Sequence, residues 1–173
     1  MRVVLLRDLG AAMSPFNAFL FIQGLESMPL RMREHSKNTL AAAQYLSGRK
    51  EVTRVIHPAF HKGVGAERTA KYLPHGQGVL LGFELAGGVA AGRAFIDALQ
   101  MFYHVANIGD SRSLAIHPAS TTHSQLTEAE QLATGVTPGY IRLSVGIEHI
   151  DDIIGDLSQA LDAAGGGVKA AAE

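Results

Sequence analysis

Cysteine is absent from these 173 residues, which excludes disulfides, thiolate nucleophiles and zinc–thiolate centres together. Neither sign of charge dominates: fifteen basic against sixteen acidic side chains leave a net charge of -1, so no basic field invites nucleic acid. No apolar run reaches membrane-spanning length and the N-terminus lacks a signal-peptide pattern, so the sequence reads as cytoplasmic. The short motifs of several chemistries are missing too. There is neither GxGxxG nor GxxxxGK to cradle a phosphate, no GxSxG elbow for a hydrolase, and no HxH or HExxH for a metal. Eight histidines, at 35, 57, 61, 75, 104, 117, 123 and 149, are scattered without acidic partners at ligand spacing, so no metal site is expected. What is present, 47% hydrophobic and 18% charged residues, suits one ordinary globular domain with a real core.

Ser14-Pro15 signals a helix start, with serine as cap and proline in the first turn. The run that follows, over 15–28, is apolar almost all round: Phe16, Phe19, Leu20, Phe21, Ile22 and Leu25 cannot share one small core. Such a helix is buried on every side or expects a partner. Pro29 should break or kink it. A second helix is expected over 30–47, with Leu30, Met32, His35, Leu40, Ala43 and Leu46 inward and Gly48 ending it. Strand and helix patterns then alternate. Strands are predicted at 52–58, 78–85, 102–106, 113–119 and 140–148, with helices at 66–73, 89–100, 128–134 and 149–164. Thr127 to Glu130 spells a capping box. In the last helix Ile150, Ile153, Ile154, Leu157 and Leu161 form one stripe, with Asp151, Asp152 and Asp156 outward.

The expected fold is α/β: a small sheet of four to five strands with helices on one face, plus a long N-terminal helical arm. Its expected divisions are the arm over 1–49, the α/β domain over 50–164 and a flexible tail over 165–173.

Period-two alternation on 140–147 sends Ile141, Leu143, Val145 and Ile147 one way, and Tyr140, Arg142, Ser144 and Gly146 the other. The apolar side must meet the helices, so Arg142 stands on the open face among small neighbours. A guanidinium there is either a solvated surface charge or a bidentate holder of a carboxylate. The turn 107–112, NIGDSR, and the loop HPASTTHSQ carry the same ambiguity. Asn107, Ser120, Thr121 and Thr122 either satisfy loop backbone or line a polar pocket beside Arg142.

The motifs ANIGD, HPASTTH and RLSVGIE, in this order and spacing, resemble the carboxyl-terminal part of the Cys/Met-metabolism family of pyridoxal-phosphate enzymes. The likeness covers residues 2–164 and is nearest the O-acetylhomoserine sulfhydrylases. Asn107 stands where cystathionine γ-synthases and γ-lyases usually carry serine, and those remain the alternatives within the family. The resemblance implies the C-terminal domain of a fold-type I pyridoxal-phosphate transferase of methionine biosynthesis. It implies Arg142 as the substrate-carboxylate arginine, Asn107 as a helper in holding that carboxylate, and Thr122 as a residue near cofactor and substrate. It implies pyridoxal 5'-phosphate as cofactor, with O-acetylhomoserine and sulfide or a thiol as substrates. Acetate is eliminated from the γ-carbon and the sulfur nucleophile adds, giving homocysteine or methionine. The family's Schiff-base lysine sits in an S-x-T-K-type motif, and Lys37, Lys50, Lys62, Lys71 and Lys169 stand in no such context. No catalytic residue is therefore expected in this chain, and a cofactor domain or a second copy is the expected partner. Whether the chain is itself an enzyme stays open beside a different reading, a non-catalytic interaction module or remnant.

Overall fold

The computed structural model describes the backbone of residues 2–10 and 12–170, and the side chains of 4–10 and 12–165. Two compact units emerge, Met1–Arg31 and Met32–Glu173.

In the first unit, Arg2–Leu9 form a π-helical segment. Helix α1, Pro15–Glu26, is capped by the Ser14 hydroxyl, which accepts the Asn17 amide at 3.2 Å. The helical run stops at Ser27, whose carbonyl takes the amides of Leu30 and Arg31, and α2 begins at Met28. Pro29 thus falls in a first turn, where its missing amide hydrogen costs nothing. It opens the second helix and does not kink the first. The Arg31 guanidinium fastens this corner by donating to the Gly24 carbonyl at 2.8 Å. Phe16, Phe19, Leu20, Phe21, Ile22 and Leu25 are all exposed, Phe16 at 68%. Leu30, expected inward, is exposed as well, because it lies before the part of α2 that meets a sheet.

The second unit takes in the rest of α2 (Met28–Ser47) and a five-stranded sheet ordered β1-β2-β5-β4-β3. The strands are β1 Val52–Ile56, β2 Leu80–Leu85, β3 Tyr103–His104, β4 Leu114–Ile116 and β5 Tyr140–Ser144. All neighbours are antiparallel except β3 and β4. Helices α3 (Val64–Tyr72), α4 (Gly88–Ala98), α5 (Glu128–Ala133) and α6 (Ile150–Ala170) complete the unit. The expected α/β architecture, with helices covering one face, is what forms.

That face is the core. Ala42, Ala43 and Leu46 of α2, Phe95 of α4, and Ile153, Leu157 and Leu161 of α6 close over Leu81, Phe83, Ile141, Leu143 and Val145. Phe83 and Phe95 meet edge to face at 5.4 Å between ring centroids. Each such large side chain contributes about 1.5–3 kcal/mol on burial. A one-residue slip of β5 would turn Ile141 and Leu143 outward, so the register is fixed.

The expected alternation runs one residue too far. Val145 is buried, but Ile147 is exposed, since the strand ends at Ser144 and the chain turns at Gly146. A β-carbon on Gly146 would lie 2.6 Å from both the Ser111 carbonyl oxygen and the Ser113 nitrogen, so only glycine fits. Asp156 is a second correction. It is buried, and its carboxylate accepts the amides of Gln100, Met101 and Phe102 at 2.9–3.2 Å, tying α6 to the connection after α4. The Thr127 capping box forms as expected. Helix α6 continues to Ala170, so most of the expected tail is helical backbone, and 171–173 lie outside the described residues.

Candidate functional site

Cross-strand register places Ile56, Gly82, Arg142 and Ile116 in one row across β1, β2, β5 and β4. Arg142 rises on the face away from the α2, α4 and α6 core, as alternation requires. Glycine opposite it leaves room that Tyr140 uses: a β-carbon on Gly82 would lie 2.7 Å from the Tyr140 ring and 2.8 Å from its hydroxyl oxygen. The phenol therefore leans across β2. Burial raises its pKa above the ordinary tyrosine value, an effect that Arg142 opposes and Glu84 reinforces.

Beside this row lies a cavity of about 300 Å³ whose wall includes His57, His61, Gln77, Gly82, Tyr140 and Arg142. One guanidinium nitrogen, Nη2, donates to the Asn107 carbonyl at 3.3 Å, and Nε–H is buried without a partner. Among the described residues no carboxylate pairs with Arg142; Glu84, the acid nearest in register, faces Arg54 at 3.5 Å. A half-buried arginine with spare donors and no counter-charge is suited to an anion from outside the chain.

The three residues singled out from the sequence are not gathered equally. Asn107 meets Arg142, but through its backbone; its side-chain oxygen accepts the Ile108 amide at 2.9 Å, leaving the amide NH2 free to donate. Ser144, on the Arg142 face, accepts the Gly109 amide at 3.0 Å and so holds this turn against β5. Thr122 is exposed, and its hydroxyl pairs with Nδ1 of neighbouring His123 at 2.9 Å. Hydrogen bonds among the described residues do not connect Thr122 to Arg142.

The HPASTTH loop is largely self-supporting. Buried His117 donates from Nε2 to the Pro138 carbonyl at 2.8 Å, which leaves Nδ1 to accept the Ser120 hydroxyl at 2.8 Å. That assignment makes it a neutral ring, in keeping with a pKa lowered chiefly by burial, with Arg93 and His104 adding to it and the Pro138 bond opposing. Thr121 and Ser124 return their hydroxyls to loop carbonyls. Both hydroxyls satisfy loop backbone, and neither residue lines the cavity beside Arg142.

The sequence matches the family described as Cys/Met metabolism PLP-dependent enzyme over residues 2–162. The chain belongs to that family. An O-acetyl-L-homoserine sulfhydrylase of Leptospira meyeri is 52% identical over 161 residues, covering 92% of this chain and 36% of the relative. A homocysteine synthase of Schizosaccharomyces pombe is 45% identical over 94% of this chain and 38% of its own length. Among solved structures, a putative O-acetylhomoserine (thiol)-lyase of Campylobacter jejuni holding a pyridoxyl-lysine monophosphate superposes with a TM-score of 0.82. It is 42% identical over 92% of this chain and 38% of its own. A cystathionine gamma synthase of Xanthomonas oryzae in complex with cystathionine gives 0.81 at 38% identity, over 92% of this chain and 41% of its own. The chain thus spans little more than a third of the relatives it matches.

For a member of a pyridoxal-phosphate family, the decisive question is which partner these residues fit. Lys37, Lys50, Lys62 and Lys71 are all exposed, none lines the Arg142 cavity, and Lys37 is paired with Glu34 at 3.0 Å. The Lys169 side chain lies outside the described residues. The donor set around Arg142 fits a carboxylate and offers no amine to which a cofactor aldehyde could bind.

Proposed function

We propose that this chain forms the substrate-carboxylate side of an O-acetylhomoserine sulfhydrylase, an enzyme replacing the γ-acetoxy group by sulfide or a thiol to give homocysteine or methionine. The carrying observation is Arg142: a strand-borne guanidinium beside a cavity, with a buried unpartnered Nε–H and no carboxylate pair. Bidentate binding of the amino acid's carboxylate would satisfy that donor and fix the α-carbon relative to the rest of the enzyme. Asn107 serves this grip twice, its carbonyl steadying Arg142 and its free NH2 adding a donor; Thr122 stands near cofactor and substrate. Pyridoxal phosphate supplies the electron sink in such enzymes. Its anchoring falls to a cofactor domain, and the exposed apolar face of α1 within the 1–49 arm suits contact with that domain or a second copy. The 50–164 segment is then the substrate-side domain of a cytoplasmic enzyme.

The test is to supply the chain, in trans or fused, with the cofactor-bearing portion of the Leptospira meyeri relative and measure homocysteine formation from O-acetyl-L-homoserine and sulfide. Activity is expected, and Arg142→Ala should lower kcat/KM by about 2–4 kcal/mol, roughly 30- to 900-fold. A change under threefold would remove Arg142 from the site. Cystathionine γ-synthesis is the second reading, favoured by the Xanthomonas oryzae likeness. Offering cysteine in place of sulfide separates the two by product. Association without activity would favour a non-catalytic interaction module.

A further inference from the structure

Arginine meets a ligand at the end of a long, rotamer-rich side chain, so a guanidinium that holds a carboxylate gains from being fixed beforehand. For Arg142 the one hydrogen bond among the described residues runs from Nη2 to the Asn107 carbonyl. At 3.3 Å it is long, and a small retreat of the turn would break it. Whatever seats the Asn107 end of that turn against β5 therefore bears on where the guanidinium stands.

Two of the turn's bonds are internal. Asn107 Oδ1 accepts the Ile108 amide at 2.9 Å, and Asp110 accepts the Arg112 amide at 3.0 Å. They shape the turn without attaching it to the sheet. Its far end is attached, because the Ser111 carbonyl accepts the Ile147 amide at 3.0 Å. Near Asn107 the attachment, apart from Arg142 itself, is the Gly109 amide, which donates to the Ser144 hydroxyl oxygen at 3.0 Å. Gly109 has a φ of +76°, a left-handed conformation that glycine adopts without strain.

Ser144 lies two residues beyond Arg142 on the same face of β5, and Gly109 lies two residues beyond Asn107. The two hydrogen bonds and these two short arms close a ring: Arg142 to Ser144, Ser144 to Gly109, Gly109 to Asn107, Asn107 to Arg142. Two residues of strand span roughly 7 Å, so little chain is available to absorb a displacement of the turn. Ser144 is 2% exposed, and its register neighbours are Leu80 and Leu114. A hydroxyl between two leucines adds nothing to apolar packing; its partner is the turn.

We propose that Ser144 is a positioning residue for Arg142. Its hydroxyl oxygen seats the turn so that the Asn107 carbonyl meets Nη2, and the guanidinium is held on the open face before a substrate carboxylate binds. The proposal rests on the reading of Arg142 given above. Ser144 acts through the arginine, so its loss weakens the grip on the carboxylate and leaves the later chemistry unchanged.

The test is NMR of the full, isotope-labelled chain, following solvent exchange at the Arg142 Nε–H and at the backbone amides of residues 109, 146 and 147. In wild type the buried Nε–H should exchange at least tenfold more slowly than that of exposed Arg68. Ser144→Ala should speed exchange at least fivefold at the residue-109 amide and at the Arg142 Nε–H, with residues 146 and 147 within twofold of wild type. Gly109→Ala strains the same turn without touching β5 and should release the same Nε–H. In the assembled enzyme Ser144→Ala should raise KM for O-acetyl-L-homoserine at least fivefold with kcat within twofold, and add less than twofold in an Arg142→Ala background. The positioning role is overturned, with the Arg142 reading intact, if Ser144→Ala frees residue 109 but leaves the Nε–H protected, loosens all four groups alike, or costs as much without Arg142 as with it. If the wild-type Nε–H exchanges as fast as that of Arg68, or Arg142→Ala lowers kcat/KM by under threefold, the Arg142 reading falls and takes this one with it.

Discussion

The segment leaving β5 and the open face of β5 both collect polar side chains, and what they leave unpaired differs in kind. Past the strand end, Glu148 accepts the Ser113 amide and hydroxyl at 2.6 and 2.9 Å, and the Ser113 oxygen accepts the Gly146 amide at 2.9 Å. From α2, Asn38 gives its NH2 to the carbonyls of Gly146 and Glu148, and His35 bonds the Val145 carbonyl at 2.6 Å. All these donors are used; the leftovers are two acceptors, Asn38 Oδ1 and His35 Nε2. On the open face the leftover is a donor, Arg142 Nε–H, with the Tyr140 hydroxyl lining the same cavity. Water or a neighbouring hydroxyl can serve a buried acceptor. An unpaired guanidinium donor carries a positive charge as well, which a carboxylate satisfies better than water does. The first cluster holds the fold, and the second is the one that the proposed carboxylate would use.

Mutation should separate the two clusters sharply. The largest effect is expected for Gly146→Ala, whose added methyl meets backbone atoms of Ser111 and Ser113 that cannot retreat without breaking β4–β5 pairing. A loss of roughly 3–5 kcal/mol in denaturant unfolding is expected. A loss under 1 kcal/mol would show that the strand exit is not the rigid cluster described. Arg142→Ala should do the reverse. It removes one 3.3 Å hydrogen bond and no ion pair, so stability should change by less than about 1 kcal/mol while the assembled enzyme loses its 2–4 kcal/mol in kcat/KM. Equal effects on both readouts would erase the distinction between the faces. Ser113→Ala lies between, leaving Glu148 short of one donor and Gly146 short of its acceptor, for about 1–3 kcal/mol of stability.

Much of the second cluster was legible beforehand, because alternation along β5 is a local pattern: Tyr140 and Arg142 share a face whatever the rest of the chain does. His57 was not. Its place in the wall of the Arg142 cavity depends on β1 pairing with β2 and β2 with β5, and 24 residues lie between it and Gly82 with no motif to mark the register. Asp156 was misplaced for a related reason. A charged residue near an apolar stripe is assigned outward by period alone, but three free amides at the end of α4 draw this carboxylate in. Asn107 shows the converse. Its position in the turn was readable, whereas the choice between side chain and carbonyl as partner for Arg142 depends on turn geometry that residue identity does not carry.

The smallest expected effect concerns pH, and it bears on both regions because each has a buried histidine nearby. Burial lowers the pKa of His57 in the wall of the Arg142 cavity and of His117 under the loop preceding α5. In the unfolded chain each returns to the ordinary value of 6.5. Below that pH the unfolded state binds protons that the folded state resists, so stability is full above pH 6.5 and declines as pH falls toward the folded values. Urea unfolding at pH 7.5 and pH 5.5 should show the decline, and His57→Asn should make it shallower by removing one of the two groups. His117→Asn should do likewise at greater cost to baseline stability, since both ring nitrogens of His117 are bonded whereas Nε2 of His57 is not. If His57→Asn leaves the slope unchanged, the ring is already charged or reached by water in the folded chain, and the cavity beside Arg142 is wetter than its geometry indicates.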